Sequence, residues 1–177
     1  MNKKYFISLL VFLGISFSAM AEEIKGFWMT LDKETHLPSS IIAIYPYNGK
    51  YYGRIIATYD RQGVLNDTIY KPLDRAPGLA GQPFYSGLDI VWSDPPAKEG
   101  KEGKKAKRYK GQIVNPNNGK VYTAKLWRDN ENLILRGEVL CFGRNVTWYP
   151  FPDDKFTEDF KKPDLSTFIP KIPIKLD

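Results

Sequence analysis

The sequence predicts an all-β protein, an eight-stranded antiparallel up-and-down barrel followed by a proline-rich C-terminal tail. Three observations carry that prediction. Between Gly111 and Tyr149 apolar or small residues recur at every second position, as in Tyr122, Ala124 and Leu126 and then Leu133, Leu135, Gly137 and Val139, while Lys125, Arg136 and Glu138 fall between them. A period of two belongs to a strand with one buried face. Asn118-Gly119 and Asp129-Asn130-Glu131-Asn132 separate these runs, and Asn-Gly readily takes the positive φ values of a two-residue hairpin turn. Strand patterns then recur all the way from Ile24 to Tyr149, mostly with short connections. An antiparallel meander of that size hides its edges by closing on itself.

Taken in order, residues 1–21 read as a cleaved secretory signal. Met1-Asn2-Lys3-Lys4 is a short basic start, Tyr5 to Phe17 an uncharged apolar run too short to span a bilayer, and Ser18-Ala19-Met20-Ala21 a small-x-small end. Cleavage after Ala21 predicts export to the periplasm, or secretion if the source lacks an outer membrane. The barrel domain then occupies 22–150 and the extension 151–177. The chain has 26 Lys and Arg against 20 Asp and Glu, so loss of Lys3 and Lys4 leaves a modest positive excess. Its 11 Tyr, 10 Phe and 4 Trp supply a packed core that disordered chains lack. The single cysteine, Cys141, has no partner for an internal disulfide and reads as a buried small apolar residue.

Ile24 to Leu31 is the first strand and Ser39 to Tyr45 the second, joined by a polar loop that holds the sole histidine, His36, as a solvated residue. Tyr51 to Tyr59 follows the Asn48-Gly49 turn. Tyr51-Tyr52-Gly53-Arg54-Ile55 is echoed by Tyr109-Lys110-Gly111-Gln112-Ile113, two strands with a glycine where a bend or a close backbone approach is required. From Asp60 to Pro83 neither period is sustained; a connection that long in a compact domain is usually functional, here a lid over one mouth of the barrel. Phe84 to Trp92 resumes as a strand. From Lys98 onward the next stretch carries Lys98, Lys101, Lys104, Lys105, Lys107, Arg108 and Lys110 against Glu99 and Glu102 alone. It reads as a solvated loop or as a contact for an anionic membrane surface, and export argues against nucleic acid as the partner. Beyond Tyr149, a short helix from Asp153 to Lys162 is expected, then Pro163, Pro170 and Pro173, too dense for a central strand.

Gly26-Phe27-Trp28 on the first strand resembles the Gly-x-Trp motif of lipocalins and related calycins. That resemblance implies that Trp28 packs at the closed end of the barrel beneath an arginine from the last strand, with Arg144 as the natural counterpart and Arg136 as the second choice. Tyr52-Gly53-Arg54-Ile55, Gly87-Leu88-x-Ile90, Asn115-Pro116-x-x-Gly119-Lys120-x-Tyr122, Leu135-Arg136-Gly137 and Phe142-Gly143-Arg144-x-x-x-Trp148 extend it. Together they resemble the DUF2147 family of exported bacterial proteins over roughly Ile24 to Tyr149. The resemblance implies a lipocalin-like barrel and no particular activity. The lysine-rich insertion and the tail stand outside it.

One His and one Cys on distant segments leave no Ser-His-Asp, Cys-His or zinc constellation, so no catalytic residue, metal or cofactor is expected. Only carboxylates such as Asp60, Asp67 and Asp74 remain as acid or base candidates. An eight-stranded barrel has room for its own side chains or for one small ligand. Inward candidates are Tyr51, Tyr109, Tyr122 and Leu126, with Leu133, Leu135, Val146 and Trp148 on the last two strands. Two readings stay open at this level: a lumen that takes a lipid-like apolar molecule, or a filled barrel serving as a structural or interaction module of the envelope.

Overall fold

The computed structural model describes residues 24–73, 86–96, 107–116, 119–139 and 142–172. Its strands are β1 (Gly26–Leu31), β2 (Pro38–Tyr47), β3 (Lys50–Tyr59), β4 (Leu65–Thr68), β5 (Asp89–Ser93), β6 (Tyr109–Val114), β7 (Val121–Asp129), β8 (Asn132–Val139) and β9 (Phe142–Pro150). All pairings are antiparallel and join neighbours in sequence, except that β5 rather than β4 continues the wall after β3 and β1 pairs with β9. Eight strands thus close into a lipocalin-like barrel, as the alternation predicts. β4 is the ninth, a short flap paired to β3 at Ala57 to Tyr59 and set in the stretch where the sequence shows no period. Four residues are too few for a period to register.

The turns differ in detail from expectation. Asn48-Gly49 makes the two-residue turn between β2 and β3, with Tyr47 opposite Lys50. Between β6 and β7 the Asn115 N–H donates to the Lys120 carbonyl and the Gly119 N–H to the Asn115 carbonyl, so the connection runs from Asn115 to Lys120. It is longer than the two-residue turn expected at Asn118-Gly119, and Asn118 itself lies outside the described residues. The echoed glycines serve close approach: a Cβ on Gly53 would stand 2.3 Å from Val91 Cγ1, and one on Gly111 1.9 Å from the Trp92 carbonyl oxygen. β5 fits between β3 and β6 only because both neighbours lack a side chain there.

β2 and β3 are buried on both faces. Ile42, Ile44 and Ile55 point into the barrel, while Ile41, Ala43 and Tyr45 point outward into a second apolar cluster. Opposite the Ile41 to Ile42 step, β3 carries one extra residue, which places both Ile56 and Ala57 on the outer side. This outer face is covered by the C-terminal extension. Phe151, Phe156, Phe160, Leu165 and Phe168 pack on it, with the Phe156 ring 4.9 Å from Phe27 and 5.1 Å from Phe160. The helix expected over Asp153 to Lys162 is a single 3-10 turn at Asp153–Lys155, and a second turn, Leu165–Thr167, is capped by the Asp164 carboxylate accepting from the Ser166 N–H. Pro152 and Pro163 bracket a segment that is held by its phenylalanines rather than by helical hydrogen bonds.

One buried polar group fastens the extension. Asp89, at the start of β5, is fully buried; its Oδ1 accepts from the Tyr45 hydroxyl at 2.8 Å and its Oδ2 from Arg54 Nη2 at 2.9 Å. The Lys171 N–H also donates to Oδ2 at 2.5 Å, and the Asp89 N–H donates back to the Lys171 carbonyl at 3.0 Å. Arg54 Nη2 further donates to the Tyr45 oxygen and to the Ile169 carbonyl, with the guanidinium 4.5 Å from the Phe168 ring centroid. Burial, then the negative charge of Asp89, pushes the Tyr45 hydroxyl far above its ordinary value, so it stays a donor.

Breaking a buried pair by removing one partner leaves a desolvated charge, at a cost of about 3–5 kcal/mol. Arg54→Met should lower the unfolding free energy in urea by about that amount, and Arg54→Met with Asp89→Leu should recover much of it. For Tyr45 the folded value lies above the unfolded one, so its contribution is complete below about pH 10 and falls as the pH rises past it. The stability gap between wild type and Tyr45→Phe should accordingly narrow in alkaline melts.

Candidate ligand-binding lumen

Inward-pointing positions divide the barrel interior into a packed half and an open half. At the closed end, near the turn between β2 and β3, Trp28, Tyr51, Tyr109, Leu126 and Leu133 fill the space. The Tyr51 and Tyr109 rings meet edge to face at 5.2 Å, and Leu126 and Leu133 are 1% and 0% exposed. At the other end a cavity of about 450 Å³ remains. Its lining includes Tyr122, Leu135, Val146 and Trp148 from the later strands and Ile42, Ile55 and Ile90 from the earlier ones. Thr30, Ser39, Ser40, Asn115, Lys33 and Arg144 complete it toward the mouth. The eight residues expected in the lumen are thus split four and four between packing and lining. Ile42, Ile55 and Ile90 escape a sequence reading because their strands are apolar on both faces, so alternation does not say which residues point in.

Trp28 closes the packed end. Gly26 before it has φ 137°, a conformation that a side chain would strain, and the indole Nε1–H donates to the Ile24 carbonyl at 2.9 Å. The cation over the indole is Arg128, from β7, with its guanidinium carbon 4.8 Å from the ring centroid. The structure therefore places neither Arg144 nor Arg136 there. Arg144 follows Trp148 and Val146 in the inward phase of β9, but two steps along toward the mouth, where it faces Gly137 and is exposed. Arg136 sits in the outward phase of β8, donating from Nε to Glu138 Oε1 and from Nη1 to Asn145 Oδ1, both at 3.0 Å. Lys125 joins the same Glu138 oxygen at 2.8 Å; hydrogen bonding from Lys125 and then Arg136 holds that carboxyl below its usual range. Arg128 was legible: it continues the inward series Tyr122, Ala124, Leu126.

The carboxylates weighed for acid or base work are committed to backbone. Asp67, 1% exposed, accepts from the Leu73 N–H at 2.9 Å and the Ser86 N–H at 2.8 Å, tying together the two ends of the long connection. Asp60 accepts from the Gln62 and Val64 N–H groups of its own turn. Asp74 lies outside the described residues, as does the part of the expected lid from 74 onward. Among the described residues no three His, Cys, Asp or Glu side chains gather as a metal site. Of the basic cluster, Lys98, Lys101, Lys104 and Lys105 are outside the described residues, as is Cys141. Lys107 and Arg108 lead into β6 at the closed end, where Arg108 lies 4.9 Å from the Trp127 ring.

Trp28→Ala should cost about 3–5 kcal/mol in a chemical melt, through the cavity it leaves. Arg128→Met should cost about 1–2 kcal/mol by removing a partly desolvated cation from the indole face, whereas Arg144→Met should stay within about 0.5 kcal/mol of wild type. Equal losses for the two arginines would disprove the assignment of Arg128 as the closing cation.

Among curated protein sequences nothing matches this chain. Its structure is similar to that of protein HP1028 from the human pathogen Helicobacter pylori, described as belonging to the lipocalin family, with a TM-score of 0.50 and 20% identity over 75% of this chain and 86% of that one. At that identity the likeness is one of fold. The family model described as an uncharacterized protein conserved in bacteria (DUF2147) matches residues 26–149, from the glycine that opens β1 to the penultimate residue of β9. All of the barrel but the last residue of β9 lies within that span, its closing tryptophan included, and by it the chain belongs to the DUF2147 family.

Proposed function

We propose that this protein is an exported binding protein of the bacterial envelope that holds a lipid-like apolar molecule in the open half of its barrel. The observation that carries the reading is the cavity of about 450 Å³ with isoleucine, leucine, valine and tryptophan in its lining. Pockets for small molecules run from about 300 to 1,000 Å³ and are mainly apolar with a few polar groups. Export rests on the basic start, short apolar run and small-x-small end of residues 1–21. Binding rather than catalysis is supported by Asp60 and Asp67 being committed to backbone N–H groups. The packed half, with Tyr51 against Tyr109, is what the filled-module alternative would need throughout. The open half supports the binder.

Magnitudes set the expected affinity. Burying about 12 methylenes at ~0.8 kcal/mol each yields ~10 kcal/mol gross, and association costs at least about 4 kcal/mol. The remaining ~6 kcal/mol corresponds to a dissociation constant of tens of micromolar. Gly137 offers the cleanest block: it lines the cavity, and the nearest atom to an added Cβ is Ile113 Cγ2 at 4.0 Å. Titration of the wild type with fatty acids or lysophospholipids should shift tryptophan emission, since Trp148 lines the cavity. Gly137→Leu should weaken binding at least about tenfold, equivalent to ~1.4 kcal/mol, without lowering the urea midpoint. No emission change with any such probe at about 100 μM, against the tens of micromolar expected, would return the protein to the filled-module reading.

A further inference from the structure

The cavity changes character from floor to mouth. Its floor is apolar, around Ile55, Ile90 and Trp148, while toward solvent it is lined by Thr30, Ser39, Ser40 and Asn115 and by two cations, Lys33 and Arg144. Lys33 comes from the connection between β1 and β2 and Arg144 from the start of β9, so separate parts of the fold bring positive charge to one opening. Among the described residues no Asp or Glu lines it. Of the nearest acids in sequence, Glu34 is exposed beside Lys33, and the other two are engaged elsewhere. Asp32 Oδ1 accepts from the Glu34 and Thr35 N–H groups and the Thr35 hydroxyl, and Glu138 is held on the outer wall by Lys125 and Arg136. Among the described residues neither Lys33 nor Arg144 forms an ion pair, although both are exposed and four other lysines do.

We propose that this mouth selects an anionic amphiphile, with its chain in the lumen and a carboxylate or phosphate head beside Lys33 and Arg144. The proposal rests on the lumen being a ligand site and adds the chemical class of the ligand. An apolar floor alone does not discriminate between an alcohol, an acid and an amine with the same chain. Two cations at the rim do: they attract an anionic head and repel a cationic one. Because both are exposed, the preference is screened by salt, with a Debye length of about 10 Å at 0.1 M falling to about 3 Å at 1 M. Arg144 can meet either head with a bidentate fork, whereas Lys33 acts as a point charge.

The test is a matched series with one chain length, each member below its micelle concentration: dodecanoate, dodecyl phosphate, dodecanol and dodecyltrimethylammonium. These are titrated into wild type and into Lys33→Gln/Arg144→Gln, following tryptophan emission. In wild type at low salt both anions, or one of them, should bind about tenfold more tightly than dodecanol, and the ammonium more weakly than dodecanol. Raising the salt to about 1 M should collapse these differences, as screening requires. The double variant should bind all four alike, with dodecanol affinity and the urea midpoint unchanged. A dissociation constant for dodecyl phosphate well below that for dodecanoate assigns a phosphate head, and the reverse a carboxylate. If dodecanol binds wild type as tightly as both anions, the head-group proposal fails while the lumen stands. An anion preference that persists in the double variant also overturns it. If no member binds, the lumen reading and this proposal fall together.

Discussion

A fully buried carboxylate constrains more of this molecule than any other single group. Asp89 cannot stay charged in the interior without donors, and those donors come from three places: Tyr45 on β2, Arg54 on β3 and the backbone of Lys171 in the extension. Satisfying it fixes where β5 begins, since the register between β3 and β5 shifts at the step from Gly53 to Arg54, opposite Asp89. It also fixes where the extension ends its path, because Arg54 reaches the Ile169 carbonyl and its guanidinium lies on the Phe168 ring. The residues that receive the extension lie within the span that defines the family, whereas the extension lies beyond it. The barrel therefore carries its own docking groove for a segment of the same chain.

Side-chain volume decides the rest of the interior. An eight-stranded barrel has little room to spare, and its closed half spends that room on Trp28, Tyr51 and Tyr109 with Leu126 and Leu133 between them. Toward the mouth the inward positions keep two aromatics, Tyr122 and Trp148, but add Ile, Leu, Val and, at Gly137, no side chain at all. The smaller side chains among these positions leave a cavity at one end without any strand departing from the closed sheet.

The barrel was legible because β7, β8 and β9 have one buried face and show it at period two; the inward phase of β7 even carried Arg128 to its place over Trp28. The choice of Arg144 failed for a geometric reason. Strand membership does not say how far along the barrel axis a residue sits, and the register of β8 against β9 puts Arg144 opposite Gly137, away from the indole. β2 and β3 were opaque in another way. With Ile41, Ile42, Ala43 and Ile44 in a row, no alternation separates inside from outside, and the cause is the extension covering the outer face. The cavity was not legible at all: a void is the volume left between residues of different strands, a property of cross-barrel partners that no local pattern encodes.

That doubly buried wall couples the extension to the lumen. Ile55 lines the cavity, and the residue before it, Arg54, grips the extension on the opposite face; Ile90 lines the cavity, and the residue before it is Asp89. Alternation makes this unavoidable, since successive side chains on a strand point to opposite faces. The groups that anchor the extension and the groups that shape the lumen are thus consecutive residues on the same two strands. A displacement of Arg54 or Asp89 is carried through the backbone directly to the lining. The phenylalanines of the extension never touch the cavity, yet they hold the outer side of the wall that gives it its form.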